Sequence, residues 1–305
     1  MSQFPGTSVG LISVVAEWHS RDMTSTTAFT LTRQSPHFGA LVSGVDLSSV
    51  DASTAAEIRA ALLEHKVLLF TGQSLDAERH IEFANYFGET TSSHPVMPAL
   101  DSEHPQIWEI DSTDPTARND AWHTDVTFVA RPPMGAVLRA VQVPDVGGDT
   151  LWADLEQAYW SLSKPVRDLV DQLDAEHDGS HEFGDYLAQY GGNDWDGATV
   201  KRLDPVVHPV VRVHPETGRP ALFVNPWFTK RIIGVSEAES RGILDLLFAH
   251  LTKPEHIVRH RWQQGDVAMW DNRNTMHYAT LNYGDFHRVM HRVTIAGDVP
   301  IGIGR

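Results

Sequence analysis

The segment Arg288-Val289-Met290-His291-Arg292-Val293-Thr294-Ile295 reads as a strand, and that reading sets the class of the fold. Its odd positions are valine, histidine, valine and isoleucine, and its even positions are arginine, methionine, arginine and threonine. A period of two sends alternate side chains to opposite faces, so Arg288 and Arg292 share one face. Further strand-like runs precede it at Gly135 to Val143, Val206 to Val213, Ala221 to Val224 and Val267 to Trp270. A short apolar run, Val67 to Phe70, adds a buried strand behind an amphipathic helix, Asp51 to His65, with Ala55, Ile58, Ala61 and Leu62 on one face. Other helical patterns cover about Asp76 to Phe87 and Asp154 to Leu173, and Ser236-x-x-Glu239 is a capping box opening a helix that ends before Pro254. Helices and strands do not alternate regularly, and no G-x-G-x-x-G turn occurs, which argues against a doubly wound nucleotide-binding fold. The pattern predicts a mainly β barrel or sandwich with peripheral helices.

The chain has 305 residues, a formal charge of -16 and no cysteine. That charge disfavours nucleic acid and anionic membranes as partners, since both need a basic surface. It also means that an anionic substrate must be drawn in by a few local arginines. Without cysteine there are no disulfides, thiolate nucleophiles or iron-sulfur clusters, and the cytoplasm is the expected compartment. The apolar run Val9 to Ala16 is too short to span a bilayer. Residues 1–24 read as an N-terminal extension and 25–305 as a single domain, and truncation at Met23 is expected to be tolerated.

The composition of 17 histidines and 40 acidic residues predicts about two H-x-[DE] matches by chance, and three occur. His80-Ile81-Glu82 falls in a helical pattern, where i and i+2 diverge, and His214-Pro215-Glu216 opens a turn-like segment. His123-Thr124-Asp125 remains. On a strand its imidazole and carboxylate share a face and could hold one metal, given a distant second histidine. His256 and His260 have i, i+4 spacing, but on a strand four residues span about 13 Å. No H-E-x-x-H zinc motif is present.

Trp122-His123-Thr124-Asp125-Val126-Thr127-Phe128, Gly147-Gly148-Asp149-Thr150-Leu151-Trp152 and Trp270-Asp271-Asn272-Arg273 through His277 follow in order. With His208 to Arg212, Leu222 to Asn225 and Met290 to Arg292, this set resembles the TauD/TfdA family over about Phe38 to Pro300, closest in appearance to taurine and alkyl-sulfate dioxygenases. The resemblance implies a double-stranded β-helix (jelly roll) that uses Fe(II), 2-oxoglutarate and O2. It implies His123, Asp125 and His277 as iron ligands, and Thr150 and Arg288 as the 2-oxoglutarate clamp. For the substrate it implies His94, Asn119, Val126, Phe183, Phe228 and Arg292. The chain departs from the pattern at Met97, where taurine dioxygenases usually carry a tyrosine, and at Trp227, where a glycine is common.

With only 24 lysines and arginines in the chain, Arg288 and Arg292 on one face suit two anion sites, one for co-substrate and one for substrate. The implied reaction hydroxylates a small organosulfonate such as taurine at the carbon bearing sulfur, releasing sulfite and an aldehyde with succinate and CO2. The same chemistry on an alkyl sulfate ester or another small anion is an alternative. A jelly-roll protein with a structural metal is a non-enzymatic one, against which Thr150 and Arg288 weigh, and a metal-dependent hydrolase is disfavoured by the missing zinc motif. Relatives in that family imply a homo-oligomer, dimer or tetramer.

Overall fold

Alternation along the strands separates two cores. Leu68, Phe70, Val137, Val267, Met269, Val293 and Ile295 point to one side of a sheet, where they meet Ile58, Ala61 and Leu62 of one helix and Phe83 and Ala84 of another. Their neighbours Val67, Leu69, Ala136, Leu138, Ala268, Trp270 and Met290 point to the other side and pack on Trp152, Val258 and Trp262. Each fully buried Leu, Ile or Phe contributes roughly 1.5–3 kcal/mol. The computed structural model describes residues 28–114 and 119–305, so the extension expected at residues 1–24 lies outside the described residues.

The sheet has seven strands, in the order Thr30–Arg33, Ala40–Ser43, Val67–Phe70, Val267–Asp271, Gly135–Gln142, Val289–Ile295 and Ile107–Asp111. Only the pairing of Ala40–Ser43 with Val67–Phe70 is parallel, and the helix Ala52–His65 makes the crossover that a parallel pair requires. Asp51 caps that helix through the Thr54 amide, and Lys66 ends it with φ of 64°. Facing this sheet is a three-stranded one, Ile257–His260, Thr150–Asp154 and Thr275–Ala279. Trp152 and His277 are register partners there and face inward, whereas Ala153 and Met276 face outward onto Leu244, Leu247 and Leu251 of the helix Glu237–Leu251. The result is the jelly roll that the resemblance implies, two β layers covered by helices on both outer faces. Among the described residues no helix is long and apolar enough to cross a membrane.

The local differences from expectation have physical reasons. The helix expected over Asp154 to Leu173 is two helices, Leu155–Ser161 and Lys164–Val170, because Leu162 and Ser163 adopt extended backbone and Pro165 restarts the helix in its first turn. The strand expected over Val206 to Val213 breaks at Val210 as it changes partner, from Asp174–His177 to Pro220–Leu222. His123 to Asp125 is not a full strand: His123 forms a single antiparallel bridge and Asp125 already lies in a turn. The capping box at Ser236 and Glu239 is present in both halves.

Candidate active site

The bridge between His123 and His277 is closed by two backbone hydrogen bonds, His123 N–H to the His277 carbonyl at 3.0 Å and the return bond at 2.7 Å. Residues exchanging both bonds stand directly opposite, and here the imidazole centroids are 4.2 Å apart. Asp125 completes the group. One ligand atom from each of the three side chains lies within 4.8 Å of the others, and all three residues are buried. His123 Nδ1–H donates to the Ala121 carbonyl at 2.7 Å, which leaves the Nε2 lone pair free for a cation. Asp125 Oδ2 is buried with no hydrogen-bond partner, an orphaned acceptor that a metal would satisfy. Burial lowers the pKa of both histidines, His277 to about 3, and keeps them in the neutral form that binds metal. Burial alone would raise the Asp125 pKa, but Arg292 and the two histidines hold it below the usual carboxylate value.

The turn carrying Asp125 is fastened by side chains from distant segments. Asn272 accepts from the Asp125 amide at 2.9 Å and donates to the Asp125 carbonyl at 3.0 Å and the Pro133 carbonyl at 3.1 Å. Thr124 donates to the Thr275 carbonyl, and Thr127 joins Asn225 and His177 in a buried polar cluster. These bonds hold Val126 at φ of 54°, a conformation that costs a β-branched residue on the order of 1–3 kcal/mol. Such strain is kept where it places a side chain, here the carboxylate one residue earlier. Asn272 belongs to the motif Trp270 to Arg273, but its role as a clamp was not read from the sequence.

Two residues past His277, Ala279 pairs in register with Thr150 and lines a small cleft with Asn119, Tyr283 and Arg288. Arg288 is buried, its Nε has no partner, and among the described residues no carboxylate pairs with it. Asp149, the acid in its field, is bonded to Arg259 at 2.6 Å instead. Burial pushes the Arg288 pKa down, with Tyr283 and Asp149 opposing the shift. Gly148, at φ of 67°, lets the loop pass over this side chain, because a Cβ there would come within 3.2 Å of Arg288 Nε. The Thr150 hydroxyl accepts from Trp262 Nε1 at 2.9 Å and keeps its own proton to donate.

On the other side of the triad, Arg292 reaches Asp125 with Nη1 at 2.5 Å and lies over the Trp108 ring at 4.6 Å. His94 Nδ1 accepts from the Val96 and Met97 amides, so Nε2 carries the proton, and burial holds the ring neutral. Met97, Val126, Phe128, Phe183 and Phe228 form one apolar cluster with Trp108, and Trp227 packs against it. The structure thus brings His94, Met97, Val126, Phe183, Phe228 and Arg292 together, and places Asn119 in the Arg288 cleft. Trp108 and Phe128 belong to the same cluster, and the sequence reading did not single them out for the site. The cross-strand pairing of Trp108 with Arg292 gives the first away only once the register is known.

A family model for the taurine catabolism dioxygenase TauD, TfdA family, matches residues 30–294. The chain belongs to this family. It is an α-ketoglutarate-dependent dioxygenase, α-ketoglutarate being 2-oxoglutarate. It is 42% identical over 274 residues to an alkylsulfatase of Acinetobacter baylyi, covering 87% of this chain and 84% of that one. It is also 42% identical over 275 residues to an α-ketoglutarate-dependent sulfate ester dioxygenase of Pseudomonas putida, covering 87% and 88%. Among solved structures, a taurine dioxygenase from Burkholderia xenovorans superposes with a TM-score of 0.78 at 42% identity, covering 91% of this chain and 93% of that one.

Proposed function

We propose that the protein is an Fe(II)- and 2-oxoglutarate-dependent dioxygenase that hydroxylates an alkyl sulfate ester at the carbon bearing the ester oxygen. The observation that carries the co-substrate half is the buried, carboxylate-free Arg288 beside Thr150, in a cleft two residues from His277. His123, Asp125 and His277 would hold the metal, a two-histidine, one-carboxylate donor set that suits Fe(II). When bound, Fe(II) and 2-oxoglutarate supply the oxidation: dioxygen gives one atom to succinate as CO2 leaves and one to the substrate carbon.

The chain's own residues place the reactants. Arg288 grips the distal carboxylate of 2-oxoglutarate through parallel N–H bonds, and the Thr150 hydroxyl donates a further one. Arg292 and His94 Nε2–H share the oxygens of the sulfate head, while Asn119 lies with Arg288 on the co-substrate side. The apolar cluster encloses the alkyl body and keeps water from the reacting carbon. The hydroxylated carbon then loses its C–O bond to sulfate, and the hydroxyl gives up its proton to leave an aldehyde.

Two features support a sulfate ester over taurine. Met97 offers no hydroxyl to a sulfonate, and the 42%-identical relatives from Acinetobacter and Pseudomonas carry sulfate-ester names. A small organosulfonate such as taurine is the second reading, favoured by the Burkholderia structure. There the same hydroxylation expels sulfite. The test is anaerobic loading with Fe(II) and 2-oxoglutarate, then oxygen and a panel of sulfate esters, sulfonates and taurine, with succinate, sulfate and sulfite measured. Sulfate release from esters is expected; succinate formation with none of them contradicts the reading.

A further inference from the structure

We infer that Trp227 is a stacking platform for the substrate's tail, which makes the preferred substrate one with an apolar chain or ring rather than a short, amine-bearing one. This rests on the sulfur-anion reading above and names the part of the molecule that reading leaves open.

Trp227 meets the His123 ring at 4.7 Å and nearly at right angles, while one of its own faces lies parallel to Phe228 at 5.3 Å. It is only partly buried, whereas Phe228, Phe128 and Phe183 behind it are fully buried. Among the described residues it is the one partly exposed member of the apolar cluster whose ring touches a ring of the triad. The indole therefore packs against Phe228, touches the His123 ring and is still partly open to solvent.

Its position is built rather than incidental. Asn225 Oδ1 accepts from the Phe228 amide at 2.8 Å, the Thr229 amide donates to the Asn225 carbonyl at 3.1 Å, and Lys230 Nζ donates to the Trp227 carbonyl at 2.8 Å. A turn fixed at these points presents the ring without an ordering cost on binding. Lys230 also pairs with Glu182 at 3.0 Å, which ties the turn to the helix that carries Phe183.

Arg292 reaches the triad at Asp125, and Trp227 reaches it at His123. A substrate whose anion is held by Arg292 beside Asp125, and whose tail runs past His123, meets the indole. Each methylene that leaves water against the ring adds binding on the order of threefold to fourfold.

The experiment compares kcat/KM for ethyl and hexyl sulfate, and for taurine and hexanesulfonate, in wild type, Trp227→Ala, Trp227→Leu and Trp227→Phe. In Trp227→Ala the hexyl-to-ethyl ratio is expected to fall about tenfold or more, chiefly through KM, with Trp227→Phe retaining most of it. A ratio unchanged in both Trp227→Ala and Trp227→Leu overturns the inference while leaving the enzyme's reaction intact. So does a loss of taurine turnover equal to that of the hexyl substrates, because the ring would then be holding an ammonium group. Absence of turnover of every sulfate ester and sulfonate by the wild type overturns the underlying reading, and this inference with it.

Discussion

Arg292 Nη1 stands 2.5 Å from Asp125 Oδ1, the same carboxylate oxygen that lies 3.7 Å from His123 Nε2 and 3.9 Å from His277 Nε2. The guanidinium therefore balances the charge that a divalent metal would meet, at a site where burial strengthens both attractions. It cannot bond Asp125 and a substrate anion with the same N–H. Arg292→Gln is expected to bind Mn(II) more tightly than wild type, read by calorimetry without substrate. The same change is expected to raise KM for the sulfur anion by about tenfold to a hundredfold, the loss of one charged hydrogen bond. Weaker Mn(II) binding with an unchanged KM would contradict both roles.

Arg288 makes a different prediction because the proposed function gives it the other anion. Arg288→Gln is expected to weaken 2-oxoglutarate binding by about thirtyfold to a hundredfold, with KM for the sulfur substrate nearly unchanged. Anaerobic calorimetry on the Fe(II)-loaded protein measures the first and steady-state kinetics the second. If the substrate KM rose instead, the two arginines would have been assigned to the wrong anions.

Asn272 fastens the backbone on both sides of the Asp125 carboxylate with two hydrogen bonds and reaches the Pro133 carbonyl with a third. Replacing it with alanine leaves buried backbone groups unpaired and is expected to cost roughly 2–4 kcal/mol of stability. Metal affinity is expected to fall more than tenfold, since the strained turn at Val126 loses its clamp. Urea unfolding and Mn(II) titration check the two effects separately. A variant as stable as wild type with full metal affinity would show that other contacts hold the turn.

His80 gives a pH dependence outside the site. Burial lowers its pKa from 6.5 to about 3, and its Nε2–H donates to the Val137 carbonyl at 3.0 Å. The unfolded chain takes up a proton near pH 6.5 that the folded chain refuses until about pH 3. The stabilising contribution is thus complete above pH 6.5 and is lost as pH falls, at about 1.4 kcal/mol per pH unit. Between pH 7 and 5 the unfolding free energy of wild type is expected to drop about 2 kcal/mol more than that of His80→Gln, which keeps a donor for Val137. Equal drops would mean that His80 is not held neutral.

The class of the fold was legible because buried strands announce themselves by period two. Val289 to Ile295 and Val67 to Phe70 form where the alternation and apolar runs put them. Thr150–Asp154 and Thr275–Ala279 were missed as strands because their residues carry chemistry as well as packing, which blurs the pattern. The helix Ser180–Tyr190, which supplies Phe183, was also missed: Gly184 lowers its helix propensity and only Phe183 and Leu187 are buried. The triad residues were visible as types and their grouping came from resemblance. The position of Asp125 in a strained turn, and the register that puts Trp108 beneath Arg292, depend on contacts between segments more than a hundred residues apart. No local pattern encodes those.

The most direct test of the central claim is the ratio of succinate formed to sulfate released in a single reaction with Fe(II), 2-oxoglutarate, oxygen and an alkyl sulfate. Wild type is expected to give the two products in equal amounts and Asp125→Ala to give neither. Sulfate released without succinate, or undiminished release by Asp125→Ala, would contradict an oxygenase built on His123, Asp125 and His277.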